Sequence, residues 1–181
     1  ARAIDLAQYP VYQDNAEANN YHMLLWPQAQ ASATSLWFNQ SFADDNYRNL
    51  FQDIRFRRAM SVAIDREQIN QVAFLGQGFP QTITVVPDSP YYDPEIANVD
   101  GEYDPELAAS LLDEIGLPKG ADGYYTFADG TPIVLEIETS LTATGSADSL
   151  ELISQWWDEA GIKNEVQVET RDVYWPRATA N

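Results

Sequence analysis

At 181 residues the chain is long enough for one domain with a real core, or for one lobe of something larger. Its 28 acidic against 10 basic side chains leave a net charge of −18. No basic stripe is available to neutralise nucleic-acid phosphates or to hold an anionic membrane surface. With no cysteine there is no disulfide framework, no thiolate metal site and no cysteine nucleophile. No apolar run reaches the ~18 residues a membrane span needs. The acidity itself reads as a well-solvated surface, with a salt-adapted source or a cationic ligand as the alternatives.

The first twenty residues are weakly patterned. Ile4 and Leu6 alternate with polar neighbours until Pro10 breaks the run, and the polar stretch Asp14 to Asn20 is compatible with a short helix. Tyr21 to Trp26 and Ser35 to Asn39 read as strands, rich in aromatic and aliphatic residues, with a loop over Pro27 to Thr34 between them. Phe42 to Phe51 reads as irregular.

The best-patterned stretch follows. Phe56, Ala59, Met60, Ala63 and Ile64 fall at i, i+3, i+4, i+7 and i+8, one face of a helix. Asp53 stands before it as an N-cap. Asp65 then offers a second N-cap, with Gln68 at the third helical position, and Ile69, Val72 and Ala73 continue the apolar face up to a left-handed C-cap at Gly76. Phe79 to Asp104 is punctuated by Pro80, Pro87, Pro90 and Pro94, so it cannot be a central strand or a continuous helix and must wrap over the core.

Asp104-Pro105-Glu106 opens the clearest helix: N-cap, proline at the first position, acid in the first turn. Its stripe is Leu107, Ala108, Leu111, Leu112 and Ile115, ended by Gly116 and Pro118. Asp129-Gly130 between Tyr124–Phe127 and Ile133–Ile137 is a hairpin signal. Ile133, Leu135 and Ile137 alternate with Val134, Glu136 and Glu138, one face buried and one wet. Leu141 to Asp148 reads as a polar loop. A helix over about Ser149 to Ala160 turns Leu150, Ile153, Trp156, Trp157 and Ala160 inward and stops at Gly161. Val166 and Val168 mark a last strand, and Tyr174-Trp175-Pro176-Arg177 trails off. The rhyme between Leu111–Leu117 and Trp156–Ile162 is shared helix-ending chemistry, not a repeat. Helix, hairpin, helix, strand is the order of an α/β lobe.

Few residues suggest reaction chemistry. His22, the single histidine, cannot build a triad or a multi-histidine zinc site. Gly76-Gln77-Gly78 lacks a third glycine and runs into Phe79-Pro80, which argues against a dinucleotide loop. Lys119-Gly120-Ala121-Asp122-Gly123 offers too few carboxylates for calcium and reads as a turn. Glu136 and Glu138 share a strand face at ~6.5–7 Å, near the spacing of an inverting glycosidase pair, although strand patterning alone explains them. Trp156 and Trp157 belong to the core stripe.

Taken in order, Arg55-x-Arg57-x-Ala59, Ala63-Ile64-Asp65-Arg66, Gly76-x-Gly78, Pro80, and Tyr103-Asp104-Pro105-Glu106 before a Leu111-Leu112 helix resemble the family 5 extracellular solute-binding proteins of bacterial ABC importers, the dipeptide and oligopeptide-binding group. The resemblance runs from about Leu36 to Arg177. It implies an α/β lobe of the periplasmic binding-protein-like class II fold, a mixed sheet flanked by helices. It also implies that residues 1–20 form a hinge or other-lobe strand, Asp5-Leu6-Ala7-Gln8, and residues 21–181 the core of a single lobe. A chain opening on Ala1 without a leader then reads as the interior of a longer protein, periplasmic or extracellular, with a lipid anchor as an option for the whole protein.

The function implied is the binding component of an ABC importer. It would close two lobes on an oligopeptide and deliver it to permease subunits, as a monomer, with no cofactor, metal or nucleic acid. Oligosaccharide is the alternative ligand within the family. Nickel is weakened by the lone histidine. A carbohydrate-active enzyme using Glu136 and Glu138 and an interaction domain without a small ligand are the readings outside it. The family has a strand ending in an Asn near the bottom of the cleft, where this chain has Leu36-Trp37-Phe38-Asn39. Trp37 and Asn39 are therefore the ligand-binding candidates, weighed against a core or hinge role. Arg55, Arg57, Asp65 and Arg66 are expected to hold lobe geometry through ion pairs and caps. The Trp-rich stretch whose Asp pairs with a peptide's amino group lies beyond this chain in peptide-binding members.

Overall fold

A computed structural model describes residues 4–26, 32–140 and 146–180. Its centre is the C-terminus of one helix. Helix α3 (Ile54–Val62) is capped by Asp53, whose carboxylate accepts from the Arg55 amide. It buries Phe56, Ala59, Met60 and Val62. The last four carbonyls of a helix have no partner within it, and here each finds one elsewhere. Ala59 O accepts from Ala63 N at 3.1 Å and Ser61 O from Ile64 N at 3.1 Å. Met60 O accepts from the Trp157 indole at 3.0 Å, and Val62 O from Asp104 N at 2.8 Å.

Two other helices are fixed by that terminus. Helix α4 (Arg66–Phe74) starts at Asp65, whose carboxylate accepts from Gln68 N at 2.8 Å. Helix α6 (Pro105–Ile115) starts at Asp104, which accepts from Leu107 N at 2.8 Å, and ends at Gly116 with φ 83°. Helix α6 lies along α3 and buries Ala108, Leu111 and Leu112 against it.

The sheet is small. Strand β1 (Val134–Ser140) pairs in parallel with β2 (Lys163–Glu169), Val134 opposite Lys163 through Ser140 opposite Glu169. Helix α7 (Ser146–Glu159) crosses between them. Ile133, Leu135 and Ile137 are buried as the alternation requires, in one cluster with Leu150, Ile153, Trp156 and Trp157. The Asp129-Gly130 hairpin forms as a tight turn with only isolated antiparallel bridges, Lys119 to Tyr125 and Thr126 to Pro132. Gly161, at φ 87°, lets α7 stop against the hairpin: a Cβ there would sit 3.2 Å from Gly123 O and 3.3 Å from the Tyr125 ring.

Several expectations are corrected. Asp5–Gln8 is not a strand: Leu6–Gln8 is a 3₁₀ turn running into helix α1 (Tyr9–Asp14), with Pro10 in its first turn, where proline is tolerated. Asn15 to Asn20 forms turns, not a helix. Phe42–Phe51 is not irregular, since Asp44 caps a helix α2 (Asp45–Gln52) by accepting from Asn46 N and Tyr47 N. Tyr21–Trp26 and Ser35–Asn39 are not strands, because no ladder reaches either among the described residues. At the end of α4 the cap is Leu75, left-handed at φ 55°, and Gly76 behind it is left-handed as expected, at φ 71°. The buried Asn70 side chain then holds Gly78 at both its N–H and its carbonyl. The proline-rich wrap contains a short helix, α5 (Pro94–Asn98), and the terminal stretch forms α8 (Arg171–Ala180) in spite of Pro176. The loop expected over Leu141–Asp148 lies outside the described residues except for Ser146 to Asp148, which belong to α7. Residues 27–31 of the Pro27–Thr34 loop also lie outside them.

Candidate functional site

Along Ser35 to Asn39 burial alternates: Leu36 and Phe38 are half-buried, while Ser35, Trp37 and Asn39 are exposed. Phe38 anchors the segment, with its ring 5.4 Å from Phe51 and from Phe56 and stacked 5.9 Å from Trp157. Its two neighbours, Trp37 and Asn39, both stand on the exposed side of this alternation.

Trp37 is 80 % exposed, and among the described residues its indole N–H donates to Ser35 Oγ at 3.1 Å. A large amphipathic ring standing in solvent on a rigidly anchored segment can stack on a ligand. The Asn39 Oδ1 is held locally, accepting from Ser41 N at 3.0 Å and Ser41 Oγ at 3.1 Å. That turn fixes the amide's direction, so a ligand would meet an oriented group. The two candidates are thus brought together by one anchor, Phe38, which sequence alone did not single out; its place between Trp37 and Asn39 in an alternating run was the available signal.

The arginines form a separate, structural set. Arg55 pairs with its own cap Asp53 at 2.6 Å and reaches Glu114 O. Arg57 donates to Phe51 O, and Arg58 pairs with Asp100 at 3.0 Å. Arg66 donates to Ser61 O, Ile64 O, Gly101 O and Ser61 Oγ. Burial pulls its guanidinium below the usual arginine range, against the opposing pull of Asp100. Arg58 and Arg66 tie the end of the proline-rich wrap to α3 through Asp100 and Gly101, whereas Arg55 and Arg57 hold the start of α3. Of the expected ion pairs, Arg55 makes one, while Arg57 and Arg66 donate to carbonyls instead.

Glu138 is held by Arg177, which also grips Glu169, while Glu136 stays exposed on the same face. Asp122 of the expected turn pairs with Lys163 at 2.7 Å. Among the described residues no group of three or more His, Asp or Glu is placed to hold a metal ion, and no helix is long and apolar enough to cross a membrane. His22 is exposed. A shallow hollow of about 600 Å³ lies between α1 and Tyr21, lined by Gln8, Val11, Tyr12, Asn15 and Asn19 among others, away from Trp37.

The fold and these residues were compared with known proteins. The model of the bacterial extracellular solute-binding proteins, family 5, matches residues 1–181. The chain belongs to this family. As a family 5 chain it superposes on the oligopeptide-binding protein OppA with a TM-score of 0.87 at 32 % identity, over 96 % of this chain and 27 % of that one. An oligopeptide-binding protein of Thermotoga maritima, solved with mannohexaose bound, matches at 30 % identity and a TM-score of 0.58 over 66 % of this chain and 23 % of that one. A probable ABC transporter-binding protein of Deinococcus radiodurans is 29 % identical over 140 residues, 76 % of this chain and 23 % of its own length. The family 5 chain therefore spans about a quarter of the length of these relatives, and its α/β architecture is that of a lobe segment of a periplasmic binding protein. Family 5 comprises bacterial extracellular solute-binding proteins.

Proposed function

We propose that these 181 residues are one lobe of the binding component of an ABC importer, which captures oligopeptides by closing two lobes and presents them to membrane permease subunits. A ligand that bridges two lobes stabilises the closed state by its extra contacts there. In this reading residues 21–181 are the lobe core and residues 1–20 lead to the hinge or the other lobe. The whole receptor is a monomer in the periplasm or outside the cell, tethered there by a lipid anchor. Support for the peptide comes from the match to OppA over nearly the whole chain. The observation that carries a ligand-facing role is Trp37, 80 % exposed beside an oriented Asn39 on a segment anchored by Phe38.

Oligosaccharide is the second reading. The mannohexaose complex of the Thermotoga relative favours it, and an exposed indole stacks on a sugar ring as readily as on a peptide side chain.

Calorimetry of the whole receptor against a mixed peptide library and an oligosaccharide panel separates the two. Trp37→Ala and Asn39→Ala are expected to weaken the preferred ligand by about tenfold each, ~1.4 kcal/mol. Unchanged affinity in both variants would remove these residues from the site. Half a cleft loses a stacked face and two or three enclosed hydrogen bonds, ~10²–10³-fold in affinity. The 181 residues alone should therefore bind no better than roughly millimolar. A micromolar ligand for them would overturn the half-cleft reading.

A further inference from the structure

We propose that this part of the receptor is built for strong salt: its fold is loose in dilute buffer and tightens as ionic strength rises toward the molar range. The inference goes beyond the binding function and does not rest on which ligand is bound.

The first observation is where the cations are. The chain has 10 basic residues against 28 acids. Those basic groups are committed to contacts within the fold. Arg55 and Arg58 pair with Asp53 and Asp100, Arg48 with Asp45, and Arg177 with Glu138 and Glu169. Arg57 and Arg66 donate to carbonyls. Lys119 and Lys163 sit over the rings of Tyr125 and Tyr124, beside Asp113 and Asp122. Little positive charge is left to offset the other carboxylates, and among the described residues no Asp or Glu is buried. Between Arg66 and Lys119 the chain has no basic residue, while Glu67, Asp88, Glu95 and Glu102, among others, stand exposed there.

The second observation is that acids occupy positions where negative charge costs stability. The C-terminal end of a helix carries partial negative charge and favours a cation. Among α2 to α7 no last turn holds a basic residue. Helix α6 ends in Asp113-Glu114-Ile115 and α7 in Asp158-Glu159. In the sheet, Glu136 stands opposite Glu165 in the ladder, both exposed, on strands ~4.8 Å apart. Like charges so placed repel. Among the described residues none of Glu136, Glu159 and Glu165 is in an ion pair.

An acidic surface that served solubility alone would gain nothing from charges at these points. Salt removes their cost selectively. The screening length falls from ~10 Å at 0.1 M to ~3 Å at 1 M, so repulsion between exposed carboxylates fades while the apolar core is untouched. Unfolding lets like charges move apart, so the net charge of −18 adds to the same dependence.

Amide exchange of the whole receptor, resolved to peptides of α7 and β2, tests this in about 0.1 M and about 2 M sodium chloride. Protection should rise ~10-fold or more with salt. Concentrated salt also strengthens apolar burial in other proteins, so two variants decide the cause. Glu159→Gln keeps the acceptor for Gln155 and removes the charge, and Glu165→Gln removes the charge facing Glu136. Each should raise protection about twofold to fivefold in the dilute buffer and leave it unchanged in the concentrated one. Protection indifferent to salt would overturn the proposal. So would variant effects that are absent in dilute buffer or equal at both concentrations. A rise that saturates with millimolar calcium or magnesium, with none from sodium chloride, would replace it with a specific ion site. Ligand affinity enters none of these readouts.

Discussion

Trp37 and Trp157 both neighbour Phe38, one along the chain and the other in space. Phe38 stacks on Trp157, which is 2 % exposed, while its chain neighbour Trp37 is 80 % exposed. The contrast extends to the regions around them. From Asp53 to Ile162 most apolar residues at helical and strand spacing meet one another in a single core; Val72, expected on the apolar face of α4, is exposed instead. Before Leu36, Val11, Leu24, Leu25 and Trp26 are all exposed, and Ala16 is the one buried apolar residue among those described. The residue types are alike in both regions. What differs is whether the elements they pack against lie within the same stretch of chain, and in the proposed receptor the uncovered side belongs to the cleft and the other lobe.

The largest test of that contrast is a pair of substitutions. Trp157→Ala removes a buried indole together with the partner of Met60 O, and should cost ~3–5 kcal/mol by denaturant unfolding. Trp37→Ala should stay within ~0.5 kcal/mol. Equal effects would mean that Trp37 is covered in solution. Next comes Arg66→Met, which keeps the apolar stem but leaves the carbonyls of Ile64 and Gly101 without their donor and Ser61 O with the Ile64 amide alone. A loss of ~1–3 kcal/mol is expected from the same measurement. No loss would show that water replaces the guanidinium. Asp104→Ala should cost ~1 kcal/mol as a lost helix cap, with Asp104→Asn largely restoring it.

The smallest expected effect is with pH. The Arg55 side chain holds the Asp53 carboxyl below its ordinary 3.8, Lys163 does so for Asp122, and the Thr131 amide for Asp129. The unfolded chain takes up protons first, so this stability is complete above that value and is lost as pH falls through the lowered ones. Tyr125 moves the other way, raised by burial and by its bond to Asp113. Its contribution is complete below the ordinary 10.0 and lost above it. Melting temperature should therefore be flat between about pH 5 and 9 and fall outside that range. A decline beginning near neutrality would point to groups other than these.

How much of this was legible in the sequence follows the same division. Asp53, Asp65 and Asp104 were readable as caps because a cap is a local pattern, and the α3, α6 and α7 stripes because burial repeats every turn. The α2 helix was missed because its signal is one cap, Asp44, ahead of a polar run in which Leu50 alone is buried. Helix α8 was missed because Pro176 argues against any helix, yet it falls where α8 has no buried residue to misplace. Ser35–Asn39 has strand composition and a strand-like alternation of burial but no ladder among the described residues, and pairing is not encoded in a segment alone. At the candidate site, Trp37 and Asn39 came from the family pattern. The direction they face came from Phe38, whose packing on Trp157 joins positions far apart in the chain.

The sealed end of α3 also bears on the order in which the molecule can be made. Met60 O waits for an indole 97 residues further on, and Val62 O waits for Asp104 N. A chain emerging from the ribosome N-terminus first therefore holds α3 with two terminal carbonyls dependent on water until α6 and then α7 have been synthesised. Closing such long loops comes before any reward from the contacts they make. A helix with a strong local pattern is thus among the last to be finished, and a nascent chain interrupted before Trp157 carries an exposed apolar face that α7 will later cover.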